Sequence, residues 1–311
     1  MTLATKKRLF ISCLLLGFSS IAIASEADEA DIKKLISECN QLVKDGNQEK
    51  ALDISGEVIK QNKSNRDAQV CKAKAQMGLG LYSEATATLK LVEQLSSSDL
   101  DRMMTFAMLG NASKGNRQLN DAFEFYQKAL DLAKSSKNKG FERVSHELIA
   151  DAKLQANQYD EAIASYQTAL KLAANDRERA NIFEHLAEAY EQQSKLNQAI
   201  EYQIKAVVAH THYGDLDSQA NAELELGRMY TDANIVDQAE SAIGKVHQLA
   251  VDNGGAYWEA KSNIYLARLK FRTHQDDDGK KLLASAENIN KEVGDTSLAD
   301  LINNLRNQFN H

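Results

Sequence analysis

The chain has 311 residues, 43% apolar and 26% charged, with a formal net charge of −7 at pH 7. It contains no proline, where a usage of about 5% would place roughly fifteen. Plentiful, evenly spread apolar residues exclude a disordered chain. The missing ring residue weighs against an all-β protein or Pro-rich linkers and in favour of long helices.

The first predicted element is a secretory signal over 1–24. Lys6, Lys7 and Arg8 form a basic start, Leu9 to Phe18 an apolar run, and Ala22-Ile23-Ala24 a small-x-small cleavage site before Ser25. The apolar stretch is short of the roughly 20 residues a membrane span needs. Cys13 sits too early in the run for a lipoprotein signal. Removing the three basic residues of this segment leaves 34 basic against 44 acidic side chains. That balance weighs against nucleic acid and anionic membrane surfaces as main partners. No later stretch is apolar for long enough to cross a membrane. The protein is therefore expected in the periplasm of a Gram-negative bacterium, or secreted. Residues 25–31 form a short acidic lead-in.

From residue 32 the chain is periodic. Leu119 to Leu130 aligns with Tyr159 to Leu170 in the pattern Ala-x3-Tyr-x2-Ala-Leu, and a variant follows from Ala199. Weaker copies start at Ala51, Ala85, Ala239 and Gly279. Twelve residues before each anchor stands a small residue: Cys39, Ala73, Gly110, Ala150, Ala187, Gly227 and Ala267. Seven residues after each stands Val or Ala, from Val58 to Ala286. Paired antiparallel helices need small residues where their backbones approach, so these slots predict seven helical hairpins over 32–292. Successive anchors lie 34, 37, 40, 37, 40 and 40 residues apart. Additions of three and six are close to one and two helical turns of about 3.6 residues. The extra residues are placed between repeats, as in Ser135 to Gly140 and Val251 to Gly255. A last helix over 296–309 carries Leu298, Leu301, Ile302, Leu305 and Phe309 on one stripe, with Thr296 or Ser297 as N-cap, and is expected to cover the last hairpin.

These slots resemble the tetratricopeptide repeat, a helix-turn-helix unit of about 34 residues with a small residue at position 8, Ala at 20, an aromatic at 24 and Ala at 27. The aromatic survives as Tyr126 and Tyr166 and is lost at Ser55 and Gln203. The family's proline at position 32 is absent throughout. The resemblance implies an all-α, right-handed α-solenoid of about seven hairpins with a C-terminal capping helix. It also implies a concave groove that binds extended peptides, lined by positions 2, 5, 9 and 12 of each first helix. Carried over, those slots give Glu147 and Asp151 in the fourth repeat, and Asn181, Glu184, Glu188 and Glu191 in the fifth. The sixth and seventh give Arg228, then Lys261, Arg268 and Phe271, with Arg272 one position beyond. The middle of the groove is thus expected to be acidic and its C-terminal end basic and partly apolar. Neighbouring first helices also carry Cys39 and Cys71. An exported chain with this pair invites a disulfide, and two buried thiols are the alternative.

Catalytic signatures are missing. The seven histidines are scattered, with no metal-binding His-Glu-x-x-His and no Cys-x-x-Cys. His210-x-His212 is placed in a solvated turn between repeats, and Asp276-Asp277-Asp278-Gly279 in a solvated turn within the last hairpin. No cofactor, phosphate-binding or metal motif appears. The expected function is non-enzymatic: an exported scaffold holding a peptide or partner protein. The alternative is a periplasmic sensory or ligand-binding component of a signalling system.

Overall fold

The computed structural model describes residues 16–213 and 216–309. Most of the predicted signal, residues 1–15, lies outside them, and 16–24 form the start of the first helix. Among the described residues there are fifteen helices and no strand. They fall into two compact units, one reaching to Lys137 and the other beginning at Asn138.

The first unit holds three hairpins: α1 (Leu16–Lys44) with α2 (Gln48–Gln61), α3 (Arg66–Gly78) with α4 (Tyr82–Leu95), and α5 (Asp99–Gly115) with α6 (Leu119–Ser135). The second holds four: α7 (Lys139–Gln155) with α8 (Tyr159–Leu172), α9 (Asp176–Gln192) with α10 (Leu196–Tyr213), α11 (Leu216–Asp232) with α12 (Val236–Asn253), and α13 (Ala256–Arg272) with α14 (Asp276–Val293). The final helix is α15 (Thr296–Phe309). Within each unit, every second helix packs on the first helix of the next hairpin.

The small slots sit where paired helices touch. The alanine anchors from Ala51 to Ala239 are fully buried, as are Cys39, Ala73, Ala150, Ala187 and Ala267. A Cβ added at Gly110 would overlap the Tyr126 ring, and one at Gly227 would overlap Ile243. Positions 8 and 24 are therefore complementary: a large residue on one helix fills the space left by glycine on the other. The position-24 tyrosines also bond back to their own first helix. Tyr126 donates to Asn111 Oδ1 at 2.7 Å and Tyr166 to Asp151 Oδ1 at 2.6 Å. Where the aromatic is lost, Gln203 lies buried and donates to the Ala222 carbonyl at 2.9 Å.

The spacing of the anchors has a simple basis. Relative to the small slot, α5, α7, α9, α11 and α13 each start one turn earlier than α3, with 17 residues against 13. Among second helices, α10, α12 and α14 have 18 residues where α2, α4 and α8 have 14. Much of the extra sequence placed between repeats is thus helix, added in steps of about a turn.

All seven hairpin turns share one geometry. Five residues before each anchor stands a residue with positive φ: Gly46, Gly80, Arg117, Asn157, Ser194, Asn234 and His274. The next amide donates back five residues to the end of the first helix, for example Gln118 N to the Ser113 carbonyl at 2.9 Å and Gln275 N to the Lys270 carbonyl at 2.8 Å. This is the Schellman closure, which satisfies carbonyls that a helix end leaves open. Only two of the seven positions are glycine. For an L-residue the left-handed conformation costs roughly 1–2 kcal/mol, partly offset by the larger unfolded-state entropy of glycine. Arg117→Gly and His274→Gly should each raise stability by about 0.5–1 kcal/mol, read as a higher urea midpoint at unchanged m-value. Asn157→Gly should be nearly neutral, because asparagine tolerates this region.

Two sequence expectations are corrected here. Asp276, Asp277 and Asp278 are the first turn of α14, where they face the positive end of the helix, and Gly279 is buried against Phe271. The cap of α15 is Asp295, not Thr296 or Ser297: its Oδ1 accepts from Leu298 N at 3.0 Å and from Ser297 Oγ at 2.5 Å. These bonds to the charged form, the Ser297 hydroxyl foremost, hold the Asp295 carboxyl below its ordinary value.

Candidate functional site

The first helices of the second unit are tied to one another by ion pairs and hydrogen bonds, some of them through the predicted slots. Arg143 of α7 pairs with Glu147 on its own helix and reaches Glu178 of α9 at 3.2 Å. Arg228 of α11 grips both oxygens of Glu191 on α9 at 2.6 and 2.7 Å. It also bonds Glu225 at 2.8 Å and Asp232 at 3.1 Å. From α13, Arg268 meets Asp232 Oδ1 at 2.7 Å, Arg272 reaches the Asp232 carbonyl at 3.3 Å, and the Tyr265 hydroxyl donates to Glu225. The 40-residue repeat places Glu225 beside Tyr265 and Asp232 beside Arg272, so equal slots face one another.

This arrangement corrects the expected separation of charge. The basic end is not free: Arg228 and Arg268 are bound into carboxylates, two of which, Glu225 and Asp232, lie outside the four family slots. The Glu191 carboxylate holds Arg228 far above its ordinary pKa. Asp151 is bonded to Tyr166 inside its hairpin, and Glu188 accepts from Gln192 at 3.1 Å. Phe271 is also corrected. Its ring is 3% exposed, opposes Gly279 and stacks on Phe309 at 5.2 Å, because α15 covers this end of the last hairpin.

Burial sets the ionisation of two carboxyls on these helices. Desolvation raises the Glu147 pKa despite Arg143 beside it, and raises Glu223, whose partner Lys245 is 3.9 Å away and exposed. A carboxyl with a raised folded pKa binds more protons folded than unfolded, so stability falls as pH rises through the interval between the two values. Glu223→Gln should therefore raise Tm at neutral pH. The gain should vanish on acidification below the ordinary carboxylate pKa, and thermal melts across that range check it.

Next to the ion pairs an open cavity of about 610 Å³ lies among α9, α10, α11 and α13. Its floor uses position 2 of three successive repeats: Asn181, Asn221 and Lys261. Lys261 Nζ donates to Asn221 Oδ1 at 2.7 Å and lies 5.3 Å from the Trp258 ring centre. Burial lowers its pKa. Trp258 and Tyr257 are half-buried and pack edge to face at 5.1 Å, and the indole Nε1 donates to Asp217 Oδ1 at 2.8 Å. Glu184 and His210 complete the wall. His210 is not a solvated turn residue: it lies in the last turn of α10, 3% exposed, with Nε2 3.0 Å from Glu184 Oε1. Of the expected groove residues, Asn181, Glu184 and Lys261 reach this cavity. Asp217, Tyr257 and Trp258 carry no signal in the 34-residue frame, since all three stand in helix added ahead of it, and His210 stands at position 31, one residue past where the 14-residue second helices end.

Cys39 and Cys71 are joined by a disulfide, with Cα atoms 6.3 Å apart, tying α1 to α3. Among the described residues there is no group of three or more potential metal ligands, and no helix is long and apolar enough to cross a membrane.

A family model described as tetratricopeptide repeat matches residues 101–175, nearly all of α5 to α8. That segment belongs to the tetratricopeptide-repeat family. Solved structures resemble the chain over most of its length. The apo form of RapI is 13% identical with a TM-score of 0.66, covering 90% of this chain and 82% of that one. BtubC from P. vanneervenii is 16% identical with a TM-score of 0.56, covering 70% and 91%. The C-terminal part of a repeat protein from Cytophaga hutchinsonii is 13% identical with a TM-score of 0.53, covering 86% and 98%. Identities this low establish a shared fold. Comparison with curated proteins finds no match. The tetratricopeptide repeat is typically a non-enzymatic scaffold suited to binding proteins.

Proposed function

We propose that this protein is an exported scaffold that holds a peptide segment of a partner protein along the face formed by α7, α9, α11 and α13. The observation that carries the reading is the cavity on that face. Half-buried Tyr257 and Trp258 stand beside polar side chains contributed by three successive repeats, the mixture of aromatic anchor and polar rim found at recognition surfaces. The ion-pair row beside it fixes the helices in register. Export is supported by the basic, apolar and small-residue order of residues 1–24, and by the Cys39–Cys71 disulfide, a bond that persists in oxidising compartments.

The test places a photo-crosslinking residue at Asn181 or Glu188, both exposed on this face, and at Gln248 on α12 as a control. A defined partner peptide, mapped by mass spectrometry, should be captured from the first two positions and not from the control. Equal capture from all three, or from none, would sink the assignment of this face. N-terminal sequencing of the purified protein should begin at Ser25.

A further inference from the structure

We infer that the cavity among α9, α10, α11 and α13 receives a positively charged side chain, arginine or lysine, from a basic peptide segment. This rests on the peptide-binding reading above and supplies the chemistry of the partner.

His210 gives the first reason. Glu184 can only accept, so the imidazole nitrogen facing it, Nε2, carries the hydrogen. In the neutral ring Nδ1 is then a bare acceptor. It is buried, it has no partner within the protein, and its ring forms part of the cavity wall. A buried acceptor without a donor is costly, and a ligand N–H would remove that cost.

The second reason is a surplus of acceptors. Glu184 uses Oε1 on His210, and Asp217 uses Oδ1 on Trp258, which leaves one oxygen of each carboxylate for a further donor. The one cation in the wall, Lys261, is taken up by Asn221 and the two aromatic rings and makes no ion pair with either carboxylate. An incoming anion would meet two carboxylates. A guanidinium or ammonium would meet two carboxylates, an imidazole acceptor and an aromatic wall, the combination that favours cation binding. The chain's net charge of −7 draws a basic segment in the same sense.

Trp258 is the only tryptophan in the chain, so indole fluorescence reads this cavity alone. The probes are blocked tripeptides, Gly-Arg-Gly against Gly-Glu-Gly, titrated at low ionic strength and mildly alkaline pH into the folded protein. The arginine peptide should give a saturable change in emission, and in the single indole N–H resonance, that weakens with added salt. The glutamate peptide should bind at least about tenfold more weakly. Glu184→Gln, which keeps an acceptor for His210, should weaken the arginine peptide about tenfold. Equal response to both peptides, no saturable response in the unaltered protein, or an unchanged affinity in Glu184→Gln would each overturn the inference. If crosslinking from Asn181 still captured a partner in that event, the scaffold reading would stand and only the charge of its ligand would fail.

Discussion

Arg228→Met should lower the unfolding free energy by about 2–3 kcal/mol. Removing one member of a buried ion pair costs about 3–5 kcal/mol, and the lower figure allows for the 22% of the Arg228 side chain that solvent still reaches. The cost comes less from the lost bonds than from what remains. Glu191, Glu225 and Asp232 all bond the guanidinium, and without it three carboxylates converge on one space. Their pKa values in the folded variant should then rise, so acidification should restore stability relative to the unaltered protein. Denaturant unfolding at neutral and at acidic pH checks both parts. A loss that stays constant as the carboxylates protonate would show that Arg228 acts by packing alone.

The second large effect concerns the first unit. Cys39 and Cys71 are 32 residues apart in sequence, and closing a loop of that length stabilises by about 3–4 kcal/mol through the entropy removed from the unfolded chain. The double variant Cys39→Ala/Cys71→Ala should lose about that amount in the unit containing α1 to α6. Reductant should shift the unaltered protein in the same way and leave the double variant unmoved. Far-UV circular dichroism follows all the helices, whereas Trp258 reports from the second unit, so the shift should be larger in dichroism than in fluorescence. A loss below about 1 kcal/mol would contradict the loop-entropy account.

The hairpins were legible in the sequence because close approach leaves few choices. Gly110 and Gly227 must be small opposite Tyr126 and Ile243, and such constraints recur at every repeat. The turns were less legible. Their left-handed residues include Arg117, Ser194 and His274, types that do not announce positive φ, and only the shared distance to the anchor reveals them. The charge pattern misled for a geometric reason. Reading four slots per helix finds Arg228 and Arg268 but omits Glu225 and Asp232, which neutralise them. Phe271 looked like a groove residue because the stripe of α15 indicates a cap without indicating that Phe309 would lie on that ring. His210 was assigned to a turn because the 34-residue frame ends the second helix earlier than α10 ends.

The one-turn lengthening of the helices separates two kinds of duty. Positions 8, 20, 24 and 27 hold each hairpin together, and all lie inside the 34-residue frame. Asp217, Tyr257 and Trp258 lie outside it, and His210 stands past the end of the 14-residue second helices, on turns that no hairpin needs in order to close. Residues on those added turns can change with little penalty to the hairpin cores. Selection can therefore retarget the cavity by rewriting a few appended positions while the repeat grammar beneath stays intact.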